Sequence, residues 1–318
     1  MRSTPEQRKQ HYRIIYEMLF DDPRVHKNTL SSILGGGRTA GLRMREAFDQ
    51  QYIVGPEIRV RSFENLREYM YFVRCRHPEL PYLEYRENMN VAYHAKTIGF
   101  CDLWIISKKK LDIENEIVHE GCHSDFYVSY APDRSWEESL AITKKKIDEF
   151  NPKEYEPTFF VKEHFEETAD WTEEDDCLYR YFKYNLRNPF TPVLRDLKIS
   201  RDTLNNFFQK LPEYCTIFTD YFPDGLPSYD PYLFMVETDY EDFVIDVFSQ
   251  LPTSASFFKV SGKLFVFINI PEQVIRGTDL HVTLNKLYIP LLFIDMLKKE
   301  IIIDKDDVLV DYSMGKSL

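Results

Sequence analysis

The sequence lacks the features that mark membrane, secreted and disulfide-rich proteins. No apolar run in its 318 residues reaches the ~18–20 residues that a membrane-spanning helix needs. The polar N-terminus, MRSTPEQRKQHYR, contains no apolar segment of the kind found in signal peptides. The five cysteines are odd in number and irregularly spaced, which indicates reduced thiols rather than a disulfide framework. Together these absences predict a cytoplasmic protein without a membrane partner.

Common catalytic and cofactor motifs are absent as well. The sequence contains no GxSxG, no P-loop, no Rossmann glycine pattern and no HExxH. The segment HEGCH brings His119, Cys122 and His123 close together, but its spacing is not that of a standard zinc site. We therefore predict no catalytic residue, no metal and no cofactor. A chain with 43% hydrophobic residues and no low-complexity stretch is nevertheless expected to form packed domains.

Positive charge is scarce overall and concentrated at the start of the chain. The whole sequence has a net charge of −12, from 40 Lys and Arg against 52 Asp and Glu. Residues 1–61 hold eleven of the Lys and Arg but only seven of the Asp and Glu, so this segment carries +4 and the remainder −16. A basic segment on an acidic chain predicts an anionic partner that binds locally.

The basic segment has the element pattern of a winged helix-turn-helix domain. HYRIIYEMLF and KNTLSSIL repeat apolar residues at helical spacing, and three glycines then form a turn. In the next segment Ala40, Met44, Ala47 and Phe48 fall on one helical face. EIRVRSF alternates like a strand. Two helices, a tight turn, a third helix and a short strand are the elements of a winged helix.

The rest of the chain predicts an α+β domain and then a repeat of both domains. Strand and helix patterns after residue 62, among them YMYFVRC, DLWIIS, SDFYVSY and the helix SWEESLAITKKKIDEF, indicate the split βαβ arrangement of ferredoxin-like domains. An acidic segment follows, and the same order of patterns then returns. The predicted fold class is α+β, a winged helix-turn-helix plus a ferredoxin-like domain, with the pair duplicated. The predicted parts are 1–62, 63–161, an acidic linker at 162–176, 177–226 and 227–318.

Several segments resemble the Lrp/AsnC (feast/famine) transcription regulators. DPRVHKNTLSSI resembles the start of the family's second helix, and RMREAFDQQYIVG resembles its recognition helix. VAYHAKTIGFCDLWIIS resembles the family segment in which a Gly, and an Asp three positions later, precede an apolar strand. The resemblance implies a regulator that binds double-stranded DNA and a small, amino acid-like effector. It also implies that Gly99 and Asp102 shape the effector pocket.

The predicted DNA contacts lie on the third helix and the strand after it. A helical wheel places Arg38 and Thr39 outward near the helix start, with Arg43 and Arg45 on either side of the outer face. A recognition helix enters the major groove, whereas a wing contacts phosphates. A solvated, salt-bridged helix is the alternative interpretation, because acidic residues also face outward. The predicted DNA-binding residues are Lys27, Arg38, Thr39, Arg43, Arg45, Arg59 and Arg61.

Two further functions stay open. A sensor or scaffold of the same fold that does not bind DNA is consistent with the acidic remainder of the chain. Some proteins of this two-part architecture are enzymes that decarboxylate sirohaem-type tetrapyrroles. Such a site needs His and Arg for the substrate carboxylates, and His94, Arg74 and Arg76 are the candidates.

The duplication carries a prediction about assembly. The apolar strands YMYFVRC, DLWIIS, YLFMVET and KLFVFINI are expected to pack the first α+β domain on the second. The second winged helix is expected to be a packing module, because its third helix, SRDTLNNFFQKL, has only Arg201 and Lys210 as cations. One chain would then hold one DNA-binding helix, so a palindromic operator predicts a homodimer.

Overall fold

The chain folds into two compact units, each made of two separate segments. The structure, a computed structural model, describes residues 4–271 and 280–311, with only the backbone described for residues 280–288. The helical unit comprises Met1–Val60 and Ala169–Pro227, and the sheet unit comprises Arg61–Thr168 and Ser228–Leu318. Each unit therefore takes one segment from each copy of the predicted duplication. The five-part division of the chain stays a prediction.

The described residues form a mixed α+β structure. The helices are α1 Pro5–Asp21, α2 Lys27–Ile33, α3 Gly37–Asp49, α4 Glu79–Glu87, α5 Trp136–Glu149, α6 Glu173–Phe182, α7 Phe190–Arg195, α8 Arg201–Tyr214, α9 Glu241–Phe248 and α10 Leu280–Lys298. The strands are β1 Ile53–Val60, β2 Tyr69–Arg74, β3 Val91–Gly99, β4 Leu103–Ser107, β5 Glu116–Cys122, β6 Tyr127–Val128, β7 Cys215–Tyr221, β8 Tyr229–Glu237, β9 Ser256–Val260, β10 Lys263–Pro271 and β11 Asp304–Asp311. The last residue of the predicted strand VLVDY, Tyr312, lies outside the described residues. Among the described helices, none combines the length and apolar character needed to cross a bilayer.

The helical unit contains two copies of one three-helix arrangement. The first residues of α3 and α8, Gly37 and Arg201, are 164 positions apart in the chain. The same shift brings α2 onto α7 and α1 onto α6, with every helix boundary within four residues. In both copies the third helix leads into a strand, β1 or β7. The predicted duplication of the helix-turn-helix is therefore present in the structure.

An antiparallel ribbon joins the two copies. β1 pairs with β7 from Ile53 opposite Tyr221 to Val60 opposite Cys215. The sequence predicted that β1 serves as the wing of the first copy, but its hydrogen-bonding partner comes from the second copy. The reason is that a strand needs a partner for its backbone groups, and the strand nearest in sequence enters the sheet unit instead.

Two arginines reinforce this junction in a reciprocal way. The Arg24 guanidinium donates to the backbone oxygen of Leu186, in the second copy. The Arg187 guanidinium donates to the backbone oxygens of Pro23 and Val25, in the first copy, at 3.1 and 3.0 Å. Burial lowers the pKa of both arginines from its ordinary value. Each copy thus uses the same kind of contact on the other, as the subunits of a twofold dimer do.

The sheet unit is a single antiparallel sheet in the order β5-β2-β4-β3-β11-β8-β10-β9-β6. Strands β2 to β5 and strands β8 to β11 each have the 4-1-3-2 order of a ferredoxin-like domain, and β3 pairs with β11 between them. Strands β5 and β6 stand at opposite ends of the order but belong to one continuous segment. The sheet therefore closes on itself, with Ser124 N donating to Lys259 O at 2.9 Å.

Aromatic side chains fill the interior of the closed sheet. The Phe72 and Phe265 rings stack at 4.6 Å, and the Trp104 and Phe258 rings stack at 6.1 Å. This core joins strands of both ferredoxin-like copies, which confirms the predicted packing of the two α+β domains. Its members include Met70, Phe72, Trp104, Ile106, Leu233, Met235, Phe265 and Phe267.

The first ferredoxin-like copy departs from the predicted element order. Residues 108–115 connect β4 to β5 without a helix. Leu111 and Ile113 from this connection pack against a second buried cluster, on the outer side of the sheet. Helix α5 packs instead on the second copy, through Leu140 and Ile147. The predicted strand SDFYVSY (124–130) was wrong except for Tyr127–Val128, because Ser124 and Asp125 use their side chains to bond backbone groups.

Candidate nucleic-acid interface

The first helix-turn-helix consists of α2, a short glycine turn and α3. Gly35 and Gly36 have φ of +80° and +119°, values that residues with a Cβ rarely adopt. Gly36 is also the N-cap of α3, and no described side chain caps that end. The first backbone N–H groups of α3 therefore keep their hydrogen-bonding capacity, at the positive end of the helix dipole.

The exposed face of α3 carries cations. Arg38, Leu42 and Arg45 are exposed and lie at i, i+4 and i+7, whereas the opposite face is buried in the unit. Lys27, on α2, is exposed and crosses α3 at Gly41, where its Nζ lies 3.6 Å from the position of an added Cβ. Within the described residues, no ion pair neutralises the three cations Lys27, Arg38 and Arg45.

Arg43 does not lie on the outer face, contrary to the sequence-based expectation. Its side chain is only 10% exposed, and its guanidinium pairs with the Glu46 carboxylate one turn later. The Tyr12 hydroxyl donates to the same carboxylate at 3.1 Å. Arg43 shares the buried face with Ala40 and Ala47, at spacings of three and four residues. It therefore neutralises Glu46 inside the unit and leaves no surface for DNA.

The two strand arginines are also displaced from the predicted phosphate-binding role. Arg59 is buried in the β1–β7 ribbon, with Nη2 3.9 Å from Glu57 Oε2. Arg61 begins the sheet unit, and its Nε lies 3.6 Å from Asp125 Oδ2. Thr39, the remaining predicted contact, is half-buried at the start of α3. The exposed part of the predicted interface is therefore Lys27, Arg38 and Arg45, with Thr39 beside them.

Buried carboxyls accompany Arg59 in the ribbon. Burial raises the pKa of Glu57 to about 8, although the nearby Arg59 opposes this rise. Burial likewise raises the pKa of Asp220, on β7, to about 7, and Arg59 opposes it there too. Near neutral pH these two carboxyls therefore retain protons in the folded chain. The same groups lose their protons in an unfolded chain. No local sequence pattern predicts this cluster, because the two carboxyls lie in different copies, on β1 and β7.

A Ser, an Asp and a His meet in the sheet unit without forming a catalytic triad. Ser62 Oγ donates to Asp125 Oδ1 at 2.9 Å, and His164 Nε2 lies 3.2 Å from Asp125 Oδ2. Ser62 Oγ also accepts from His164 N at 2.9 Å. In a triad the imidazole bonds the serine oxygen, whereas here the carboxylate stands between the two side chains. These contacts connect three segments of the sheet unit, around Ser62, Asp125 and His164.

Gly99 and Asp102 are occupied by contacts within the sheet. A Cβ on Gly99 would overlap the backbone oxygen of Asp307 and lie 2.9 Å from Val308 Cα, so glycine lets β3 approach β11. The Asp102 carboxylate accepts from Cys75 N at 2.8 Å. Both residues thus have structural partners at the positions where the resemblance implied an effector pocket.

Two of the three residues considered for a decarboxylase, Arg74 and His94, do not converge, and the third, Arg76, is exposed just after the end of β2. Arg74 follows Phe72 by two positions on β2 and so lies on the interior side of the sheet, where it donates to the Phe100 oxygen at 2.8 Å. His94 is buried on the outer side, with its ring 4.5 Å from the Tyr82 ring. Because the sheet separates these two side chains, they cannot bind one substrate carboxylate together.

The HEGCH segment, considered for a metal site, is part of the sheet. His119 Nε2 lies 2.8 Å from the backbone oxygen of Val260, which accepts its proton in the suitable tautomer. In the part of the chain that the structure describes, no group of three or more His, Cys, Asp and Glu could hold a metal ion. A surface cavity of about 420 Å³ lies in the second copy of the helical unit, lined by Glu173, Glu174, Cys177, Leu197 and Ile199.

Comparisons with known proteins give two solved structures that resemble this chain distantly. No family model matches the sequence, and no curated protein matches it. The crystal structure of the siroheme decarboxylase NirDL covers 96% of this chain and 91% of its own, with 12% identity and a TM-score of 0.49. The structure of NirDL in complex with an iron-uroporphyrin III analogue covers 91% of this chain and 85% of its own, with 9% identity and a TM-score of 0.41.

Proposed function

We propose that the protein binds double-stranded DNA through its first helix-turn-helix and acts as a transcription regulator of Lrp/AsnC type. The observation that carries the proposal is the exposed row of cations on α3, Arg38 and Arg45, joined by Lys27 from α2. The row lies on the helix that follows a tight turn, which is the helix that enters the major groove in helix-turn-helix proteins. The uncapped start of α3 adds backbone N–H groups suited to a phosphate.

The chemistry of each side chain suggests its role. Arg38, in the first turn of α3, is positioned to form a bidentate contact with guanine, and Leu42 to contact a thymine methyl group. Arg45 lies about 10 Å further along the helix, at roughly 1.5 Å per residue, and suits a phosphate at the groove edge. Lys27 is a compact cation that suits a second phosphate.

Fluorescence anisotropy with labelled genomic fragments tests the proposal. We expect Arg38→Ala/Arg45→Ala to weaken binding at low salt and to reduce the salt dependence by about one unit for each lost phosphate contact. Arg180→Ala is the matched control, because Arg180 is a 68% exposed arginine of the same unit that pairs with Asp176. Unchanged affinity and salt dependence in the double variant would remove α3 as the DNA-binding element.

A wild-type chain that binds no fragment would favour the sensor or scaffold function instead. The amino acid-like effector stays part of the proposal without an assigned pocket, since Gly99 and Asp102 have other partners. Thermal-shift measurements against the individual amino acids test for it. The proposed homodimer is tested by light scattering, where a mass of 38.0 kDa at every concentration would contradict it.

A sirohaem-type decarboxylase is the second candidate, as the family resemblance allows. Both solved structures that resemble this chain are of a siroheme decarboxylase. Its substrate-binding residues would have to differ from the pair Arg74 and His94, which the sheet separates. Titration with sirohaem, followed by absorbance, decides the point: an unchanged spectrum at micromolar protein and ligand ends this candidate.

A further inference from the structure

We propose that α8 is a second recognition helix, and that it binds an A·T-rich half-site through amide side chains. The inference rests on the proposed DNA-binding function and extends it to the second copy. In this arrangement the second copy is not the packing module expected from the sequence, and one chain contacts both halves of one site where a single recognition helix would need a homodimer. The two halves then differ in sequence and in salt dependence.

The first observation is the identity of the residues on the exposed face of α8. The shift of 164 positions that brings α3 onto α8 relates Leu42 to Asn206 and Arg45 to Gln209. The same shift relates Gly41, which Lys27 crosses, to Asn205. All three amide residues are exposed. Arg38, the first residue of the proposed contact row, is related to Asp202, whose carboxylate can accept but not donate a hydrogen bond. The next two positions of the row, Leu42 and Arg45, therefore have amide side chains on α8.

The second observation is that α8 holds these amides on a rigid support. Its other face is buried through Leu204, Phe207 and Leu211. The Phe207 ring lies 5.9 Å from the Trp171 ring and 6.1 Å from the Phe182 ring. A helix fixed by aromatic packing holds the backbone positions of its exposed residues in place, which base contacts require.

The third observation is the junction between the copies. The β1–β7 ribbon and the reciprocal contacts of Arg24 and Arg187 hold the two helix-turn-helix copies within one compact unit. Paired helix-turn-helix domains bind the two halves of an operator because their symmetry matches that of the duplex. A chain that carries both copies can occupy both halves without a second chain.

The chemistry of the amides sets the preferred bases. Asn and Gln form paired hydrogen bonds with N6 and N7 of adenine in the major groove, whereas Arg prefers guanine. On α8 the charge of Arg201 is offset by the adjacent Asp202, so the face contributes little to phosphate binding. The Ser200 hydroxyl also accepts from Thr203 N at 3.0 Å, so the start of α8 is capped, unlike that of α3. We therefore expect a guanine-containing half-site for α3 and an adenine-containing one for α8.

Selection of duplexes from a random library by the full-length protein tests the inference. The expected result is a two-part motif whose halves differ, one with guanine and one with adenine and thymine. A motif with a single half-site would overturn the inference while leaving the proposed function intact. Failure to enrich any motif, with no duplex bound at low salt, would overturn the proposed function itself.

Anisotropy with the selected duplex then assigns the second half to α8. We expect Asn205→Ala/Gln209→Ala to weaken binding by at least roughly tenfold, with an unchanged salt dependence. The loss should vanish on a duplex whose A·T half has been replaced. Gln10→Ala, an exposed amide on α1, is the matched control and should leave the affinity unchanged. Equal affinity of the double variant and the wild type on the intact duplex refutes the inference, and urea unfolding shows that both are folded.

Discussion

Glu57 makes the stability of the helical unit depend on pH in an unusual direction. Burial raises its pKa from 4.5 to about 8, so the folded chain holds this proton more tightly than the unfolded chain. Unfolding therefore releases a proton between these two pH values, and stability falls as the pH rises through this window. The contribution is complete below pH 4.5 and is lost above pH 8 or so. An ordinary paired carboxylate has the opposite effect, because its pKa is lower in the folded state.

The magnitude follows from the two pKa values. At about 1.4 kcal/mol per pH unit, the difference corresponds to at most roughly 5 kcal/mol lost between acid and alkaline conditions. The neighbouring Asp220 titrates in the same direction, so the two carboxyls share protons and the apparent transitions belong to the pair. Glu57→Gln removes the titration and keeps the shape of the neutral side chain. We expect the variant to match the wild type near pH 5 and to exceed its stability by a few kcal/mol near pH 8.5.

The tryptophans allow the helical unit to be followed by itself. Trp171 belongs to this unit, with its ring 6.1 Å from the Tyr179 ring, whereas Trp104 and Trp136 lie in the sheet unit. Incorporation of 5-fluorotryptophan gives separate ¹⁹F NMR signals for the three tryptophans of the chain, and Trp171→Phe assigns the relevant one. Urea titrations at several pH values then give the free energy of unfolding of the helical unit.

The comparison of wild type and Glu57→Gln isolates this carboxyl, because every other titrating group is common to both proteins. Asp220→Asn is the companion variant and should flatten the same pH dependence in part. If the difference in unfolding free energy between wild type and Glu57→Gln stays constant from pH 5 to 8.5, the reasoning is refuted. Glu57 would then be ionised at neutral pH, with Arg59 outweighing its burial.

Three further substitutions test the packing described above. Gly99→Ala should lower the unfolding free energy of the sheet unit by more than about 3 kcal/mol, because its Cβ would overlap the Asp307 oxygen. The control Gly262→Ala lies in open space with φ of +81° and should cost only about 1–2 kcal/mol. Urea unfolding measures both. Equal costs would contradict the close approach of β3 to β11. Arg24→Ala should lower the unfolding free energy of the helical unit by about 2–3 kcal/mol by leaving carbonyls unbonded, whereas exposed Arg180→Ala should change it by less than about 0.5 kcal/mol. Gly41→Ala should raise the stability of the same unit by about 0.5–1 kcal/mol, since its Cβ would meet Lys27 at an ordinary 3.6 Å, and a loss of stability would show that Lys27 cannot adjust.

The helices were predictable because their apolar spacing is local information. The face formed by Ala40 and Ala47 is visible in the sequence, and it becomes the buried face of α3. Partners from elsewhere in the chain are not visible in this way. Arg43 follows the buried spacing, but a wheel assigns arginine outward, and only Tyr12 and Glu46 show why it turns inward. Arg59 was misplaced for the same reason, since its strand pairs with β7.

In the sheet unit, the sequence did not predict one strand, β5, or the surface that helix α5 covers. β5 has the sequence EIVHEGC, whose polar residues hide a strand that closes the sheet. Helix α5 was predicted correctly, with its capping box of Ser135 and Glu138, yet it covers the second ferredoxin-like copy rather than the first. Local signals fix where a helix starts, whereas the surface that it covers depends on contacts distant in sequence.

The division of each unit into two distant segments has a consequence for synthesis on the ribosome. β1 ends at Val60, and its only strand partner in the described structure, β7, begins about 155 residues later at Cys215. At a synthesis rate of roughly 5–20 residues per second, about 8–30 s pass between the synthesis of β1 and that of β7. The sheet unit waits longer still, because β3 needs β11 near the end of the described chain. Throughout this interval the nascent chain exposes unpaired strand edges, which are binding sites for chaperones and for other unfinished copies of the same chain.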